Sequence, residues 1–128
     1  MAKVSSHREL IVWQKAMDMA VAVYEIGDRF PRKETYGLTS QITRAAASVP
    51  ANIAEGSARG TARDYSNFLA IAKGSLVETE TYLLLAIRLC YISEADARAA
   101  LDLMTQVSKM LTAMRTGLDK RAGASTRL

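Results

Sequence analysis

The feature that most constrains the fold is a periodic run of residues between positions 65 and 90. Steps of four and three alternate along it, through Tyr65, Leu69, Ala72, Leu76, Thr79, Leu83, Ala86 and Cys90. On an α-helix this spacing brings every member to one side, as in the seam of a coiled coil. Such a long apolar seam is stable in water only when other helices cover it. The sequence therefore predicts a helical bundle in which Cys90, the single cysteine, is a small core residue.

Three further segments have helical periodicity. The first, residues 9–29, ends at Phe30-Pro31, because the residue before a proline is disfavoured in the α region. The second runs from a cap at Thr35 or Thr39 to about Ser57, and the fourth runs from Ser93 to about Lys120. Thr61 and Ser93 each precede an aspartate by three residues, which predicts capping boxes for the third and fourth helices. The apolar seam of the second helix consists of Leu38, Ile42, Ala45, Val49 and Ile53, and that of the fourth consists of Ala100, Met104, Val107, Leu111, Met114 and Leu118.

Pro50 interrupts the second helical pattern. Its missing N–H and its ring, which crowds the carbonyl of Ala46, cost roughly 3 kcal/mol in an unadapted helix. Small residues precede it, so one helix kinked at Pro50 is favoured over two helices with Ser48 as the second cap.

Four long helices with short connections predict an all-α, antiparallel up-down-up-down four-helix bundle. We assign residues 9–120 to the bundle, residues 1–8 to a flexible N-terminal tail and residues 121–128 to a flexible C-terminal tail. The first and third helices are more apolar than one core stripe requires. On the first helix, Leu10, Trp13, Met17, Ala20 and Tyr24 lie beside a second apolar row of Val12, Ala16, Met19, Val23 and Ile26. The excess is either ordinary over-burial or a subunit interface.

A polar row follows the second helix beside its apolar seam. It comprises Gln41, Arg44, Ser48, Asn52, Glu55 and Arg59, spaced by three or four residues. Buried charges would need partners from another helix or subunit, for which Lys73, Glu78 and Glu80 are candidates. Glu55 could instead pair with Arg59 one turn later. We interpret Gln41, Arg44, Ser48, Asn52, Glu55 and Glu78 as a structural polar network or subunit contact.

The formal net charge is +4, and most of the excess falls at one end of the predicted bundle. That end receives the N-terminus, the connection between the second and third helices, and the C-terminus. Its basic residues make it a candidate nucleic-acid-binding surface, since phosphate backbones attract clustered cations. The candidate residues are Lys3, Arg8, Arg59, Arg63, Lys120 and Arg121, with Arg127 beyond them. Solubilising charge on loops and tails is the alternative.

The residues that several classes of function require are missing from this sequence. His7 is the only histidine, and no Glu-x-x-His or Cys-x-x-Cys pair supplies metal ligands. Ser48 and Ser75 have no histidine at a helical spacing to activate them. The sequence contains no run of about 18 apolar residues, so no membrane-spanning helix is predicted. We therefore expect a cytoplasmic protein without enzymatic activity, cofactor, metal or membrane contact.

Several stretches resemble the bacterial four-helix bundle proteins, also called 23S rRNA intervening-sequence proteins. They are Leu10-x-x-Trp13-Gln14-x-Ala16, Phe30-Pro31-x-x-Glu34-x-Tyr36-Gly37-Leu38, Ser40-Gln41-x-x-Arg44-Ala45-Ala46-x-Ser48-Val49-Pro50-Ala51-Asn52-Ile53-Ala54-Glu55-Gly56 and Phe68-Leu69-x-Ile71-Ala72-x-Gly74-Ser75-Leu76-x-Glu78. The resemblance implies a four-helix bundle in a homopentamer. It extends to the accessory variability determinant of diversity-generating retroelements, a basic pentamer that binds nucleic acid and a reverse transcriptase. A second copy of the chain, RNA or DNA, and a reverse transcriptase are thus the implied partners.

Two hypotheses follow for the function. The first is a non-enzymatic homo-oligomer, a pentamer as the resemblance implies, that acts as a nucleic-acid-binding accessory or scaffold protein through its basic end. The second is a scaffold for an acidic protein partner, without nucleic-acid binding.

Overall fold

The computed structural model describes residues 6–126, with side chains up to residue 123. Within that range the chain forms four α-helices and no strand: α1 Ile11–Gly27, α2 Leu38–Ser57, α3 Ala62–Arg88 and α4 Glu94–Thr126. Two short 3-10 helices, His7–Glu9 and Arg32–Glu34, precede α1 and α2. The predicted all-α class is confirmed.

The four helices pack as a bundle in which each contacts two neighbours. Both α1 and α3 pack against α2 and α4. Early residues of α3 contact late residues of α4: Ser66 bonds to Asp119, and Lys73 bonds to Thr112. This pairing is the one that neighbours running in opposite directions have. The predicted seams of α2 and α3 meet in the core, where Ile42, Val49 and Leu69 are fully buried.

The orientation of α1 settles which of its two apolar rows enters the core. Val12, Ala16, Met19, Val23 and Ile26 are all buried. From the other row, Ala20 is also buried, whereas Met17 and Tyr24 are 40% and 49% exposed. The excess apolar surface of this helix is therefore on the outside of the bundle.

Helix α2 is continuous, with Pro50 inside it, so the single-helix interpretation holds and the kink at Pro50 stays a prediction. The predicted cap at Thr35 or Thr39 is wrong. Gly37 precedes the helix without a capping side chain, and the Glu34 carboxylate accepts the Leu38 N–H at 3.1 Å. An acceptor four residues upstream thus satisfies an N–H that the helix leaves free.

The end of α3 differs from the prediction for Cys90, which is exposed rather than buried. Its φ of 62° lies in the left-handed region. The Cys90 N–H donates to Ile87 O and the Tyr91 N–H to Ala86 O, both at 3.0 Å. These two bonds define a Schellman motif, so α3 ends at Arg88, two residues before the end of the predicted seam.

The capping threonine and serine are confirmed: the Thr61 and Ser93 hydroxyls accept the N–H of Asp64 and Asp96, each at 3.1 Å. Helix α4 continues beyond Lys120, where we predicted its end, to Thr126. At the other end, Ser6 caps the first 3-10 helix through the Arg8 N–H, inside the segment that we assigned to the N-terminal tail. Residues 1–5 and 127–128 of the predicted tails lie outside the described residues.

Candidate functional site

The middle of the polar row forms a hydroxyl network between α2 and α3. The Ser48 and Ser75 hydroxyls are 2.9 Å apart. Asn52 Nδ2 donates to the Ser48 hydroxyl and to the Ser48 carbonyl, at 2.9 and 2.8 Å. On α3, the fully buried Thr79 donates to the Ser75 carbonyl at 2.8 Å. Ser75 is buried as well, so this network satisfies polar groups at the seam and fixes how the two helices face each other.

The charged members of the row lie on the surface. Arg44, Gln41 and Glu78 line a small cleft of about 180 Å³ beside Ser48 and Ser75. No ion pair within 4.0 Å involves Arg44 or Glu78 in the described part of the chain. Glu78 and Glu80, the acidic partners proposed for Arg44, therefore form no ion pair with it within the subunit.

Glu55 pairs with Arg59 at 2.7 Å on the exposed side of α2. An i,i+4 pair with both side chains about half exposed is worth only a few tenths of a kcal/mol. The Arg59 guanidinium also lies 4.6 Å from the centre of the Phe68 ring. Lys73, another proposed partner, donates instead to the Thr112 hydroxyl at 2.6 Å.

The candidate basic residues collect where α2 passes into α3 and where α4 ends. Arg59 and Arg63 flank the connection between α2 and α3, and Lys120 and Arg121 lie on the last turns of α4. The 2.6 Å bond from Ser66 to Asp119 holds these two regions together. Arg8 belongs to the first 3-10 helix, which packs against α1 and α2, and Lys3 lies outside the described residues.

Tyr65 joins the first turn of α3 to the end of α4. With Arg121, Gly117 and Leu118 it lines a surface hollow of about 330 Å³. Burial raises the pKa of the Tyr65 hydroxyl, and the charge of Arg121 counteracts part of that rise. The basic end therefore has an apolar floor beside its cations.

A large apolar groove lies between α1 and α2, and the sequence did not predict it. Its volume is about 680 Å³. Helix α1 supplies large side chains to it and α2 supplies small ones; the lining includes Trp13, Met17, Val21, Tyr24, Ala47, Pro50, Ala51 and Ala54, with Glu25 and Asp28 at one end. The doubled apolar surface of α1 was the available signal, but it did not show which helix would form the opposite wall.

Two kinds of site are missing from residues 6–126. No three or more histidine, cysteine, aspartate or glutamate side chains lie close enough together to hold a metal ion. None of the helices there has the length and apolar character needed to cross a membrane.

Comparisons with known proteins agree with this fold. The 23S rRNA-intervening sequence protein family matches residues 8–113. A crystal structure of a protein of unknown function from the S23 ribosomal protein family of Bacteroides thetaiotaomicron is similar, with a TM-score of 0.76 and 27% identity over 82% of this chain and 98% of that one. No curated protein matches. The family match covers most of the chain, so the protein belongs to the 23S rRNA-intervening sequence protein family.

Proposed function

We propose that the protein is a non-enzymatic, homo-oligomeric accessory or scaffold protein that binds RNA or DNA through its basic end. The observation that carries this proposal is the grouping of Arg63, Lys120 and Arg121. All three are exposed at the same end, and none forms an ion pair within 4.0 Å inside the described range.

The acidic residues at that end are partly engaged. Glu55 is paired with Arg59, and Asp119 accepts a hydrogen bond from Ser66. The cations of Arg63, Lys120 and Arg121 are thus left to meet a ligand. Lys120 and Arg121 belong to a helix that continues to Thr126, so both side chains project from helical backbone.

Phosphate contact explains what such a surface would recognise. Arginine and lysine that neutralise phosphates release counterions, so the affinity falls steeply with salt and depends little on base sequence. Oligomerisation with all subunits pointing the same way would combine several basic ends into one face. A broad face of this kind suits a structured RNA or a duplex better than a single subunit does.

Fluorescence anisotropy with a labelled RNA hairpin and a DNA duplex, across a series of salt concentrations, tests the proposal. The test variant is Arg63→Gln/Lys120→Gln/Arg121→Gln. A plot of log affinity against log salt concentration has a negative slope. Each lost phosphate contact should make that slope shallower by about 0.9 for duplex DNA. A drop of up to about 2.7 per subunit is therefore expected.

The matched control is Arg32→Gln/Lys33→Gln/Arg98→Gln, which removes the same charge from the opposite end. It should leave the slope unchanged. Equal losses in both triple variants would show non-specific attraction to net charge. Absence of wild-type binding at low salt would refute nucleic-acid binding, and capture of an acidic protein by the same residues would then favour the protein scaffold.

A further inference from the structure

We propose that copies of this chain associate side by side through two different surfaces. An outer ridge of α3 from one copy lies in the apolar groove between α1 and α2 of the next. This inference rests on the proposed homo-oligomer and specifies its interface. The α3 ridge is defined as Val77, Leu84 and Arg88, which lie on one side of the helix at steps of seven and four.

The two surfaces have complementary shapes. The groove has an exposed α1 wall that includes Met17, Val21 and Tyr24, and its α2 wall is built from Pro50 and alanines. Small residues on one wall allow a foreign helix to approach closely. The ridge offers Val77 and Leu84, which are 56% and 45% exposed. Large exposed apolar surfaces of this kind mark interaction sites.

The heights of the residues along the bundle also agree. Three contacts tie these elements to α4: Arg29 to Asp96 at 3.2 Å, Lys15 to Gln106 at 2.7 Å and Lys73 to Thr112 at 2.6 Å. Counting along α4 from these contacts puts α1 and α3 on one scale, on which the two α1 contacts differ by about one helical turn.

On that scale each groove residue has a counterpart on the ridge, to within about one helical turn. Met17 is level with Val77, Tyr24 with Leu84, and Asp28 with Arg88. A rotation about an axis parallel to the helices keeps every residue at its own height. Apolar residues would therefore meet apolar residues, and Asp28 would meet Arg88 of the next copy.

The charges at the end of the groove support this direction. Asp28 and Arg88 are both exposed, and neither forms an ion pair within 4.0 Å in residues 6–126. Groove and ridge are different surfaces, so the contact is heterologous, and such contacts close into rings when the rotation permits. The same axis would bring all the basic ends to one face.

Analytical ultracentrifugation of single and mixed variants tests the interface. Val21→Glu spoils the groove and leaves the ridge intact, whereas Leu84→Glu does the reverse. Val21→Glu would bury an unpaired carboxylate, and Leu84→Glu would put a carboxylate into the apolar contact that competes with Asp28 for Arg88, one turn later on the ridge. The association should therefore weaken at least about a hundredfold, and each variant alone should sediment as a monomer. Both positions are exposed in the single subunit, so far-UV circular dichroism should show unchanged helix content.

The mixture gives the sharpest result. One groove variant and one ridge variant together retain a single intact junction, so the mixture should form a 1:1 dimer and stop there. The matched control is Leu85→Glu, because Leu85 neighbours Leu84 and is 44% exposed but points away from the ridge; it should assemble like wild type. Asp28→Arg and Arg88→Asp should each weaken assembly, and the double variant should restore it.

The outcomes separate the two levels of the proposal. A monomeric wild type would refute the oligomer itself. A wild-type oligomer that survives Leu84→Glu, breaks equally with Leu85→Glu, or yields no dimer in the mixture would overturn this interface and leave the oligomer standing.

Discussion

Gly56 is a position where the addition of one methyl group should be costly. It is buried near the end of α2, where that helix passes closest to the first turns of α3. A Cβ atom at Gly56 would lie 2.8 Å from Phe68 Cβ and 3.0 Å from Tyr65 Cδ1. Carbon atoms in good contact are about 3.5–4.0 Å apart. The Phe68 Cβ is fixed to the α3 backbone, so no side-chain rotation relieves the clash.

The magnitude follows from two opposing terms. Overpacking a filled contact costs about 1–3 kcal/mol. Alanine is a better helix former than glycine, which offsets up to about 1 kcal/mol. With the full offset, Gly56→Ala should lower the free energy of unfolding by up to about 2 kcal/mol.

Gly117→Ala is the matched control, because Gly117 is also helical and a Cβ there meets nothing within 4 Å. It should raise the free energy of unfolding by about 0.5–1 kcal/mol. Urea unfolding followed by far-UV circular dichroism, at equal protein concentration, measures both. Equal stability of the two variants would refute the close approach of α2 and α3 at Gly56.

Three further predictions concern hydrogen bonds and the end of α3. Ser48→Ala should cost about 1–2 kcal/mol, because the buried Ser75 hydroxyl loses its side-chain partner, and the double variant with Ser75→Ala should be closer to wild type in urea unfolding. Tyr91→Phe should raise the pKa of Glu34, since the Tyr91 hydroxyl at 2.6 Å is the main cause of its lowered pKa. A lowered folded pKa gives stability that is present above the unfolded value and lost as the pH falls through the folded one, so the variant should lose less stability on acidification; NMR titration and unfolding at pH 3–6 measure the two effects. Cys90→Gly should raise the melting temperature relative to Cys90→Ala, because glycine adopts the left-handed conformation there without the roughly 1 kcal/mol that other residues pay. An unchanged pKa of Glu34, or a glycine variant no more stable than the alanine one, would contradict these two predictions.

The bundle was predictable because its helices obey local rules. The seams of α2 and α3 repeat every three or four residues, and Thr61 and Ser93 act on N–H groups only three positions away. Interactions of this range are present in the sequence itself. The family resemblance independently implied the same four-helix bundle.

Other features depend on distant parts of the chain. Periodicity could not choose between the two apolar rows of α1, since both have helical spacing and only the packing against α2 and α4 decides. The Glu34 carboxylate that caps α2 is held by Tyr91, 57 positions further along the chain. Cys90 continues an apolar pattern, yet the turn that buries Ile92 puts it in a left-handed conformation.

The polar row of α2 combines contacts that the sequence predicted with contacts that depend on another helix. The sequence predicted that Ser48 and Asn52 share a stripe, and the structure adds Ser75 from α3, which no spacing along α2 reveals. The charged ends of the stripe, Arg44 and Glu55, had been expected to need partners if buried. They are exposed, so water removes that requirement.

The unusual composition of α2 follows from the three surfaces that it serves. One side carries Ile42, Val49 and Ile53 into the core, a second presents Ser48 and Asn52 to α3, and a third forms the small-residue wall of the groove. A helix with three such faces has no side for long charged residues in its middle, which explains why alanines dominate there. Pro50 belongs to the groove wall, where its ring adds apolar surface at the position of a missing N–H. If the groove receives α3 of a second copy, the proline that first suggested a break in the helix is part of a subunit contact.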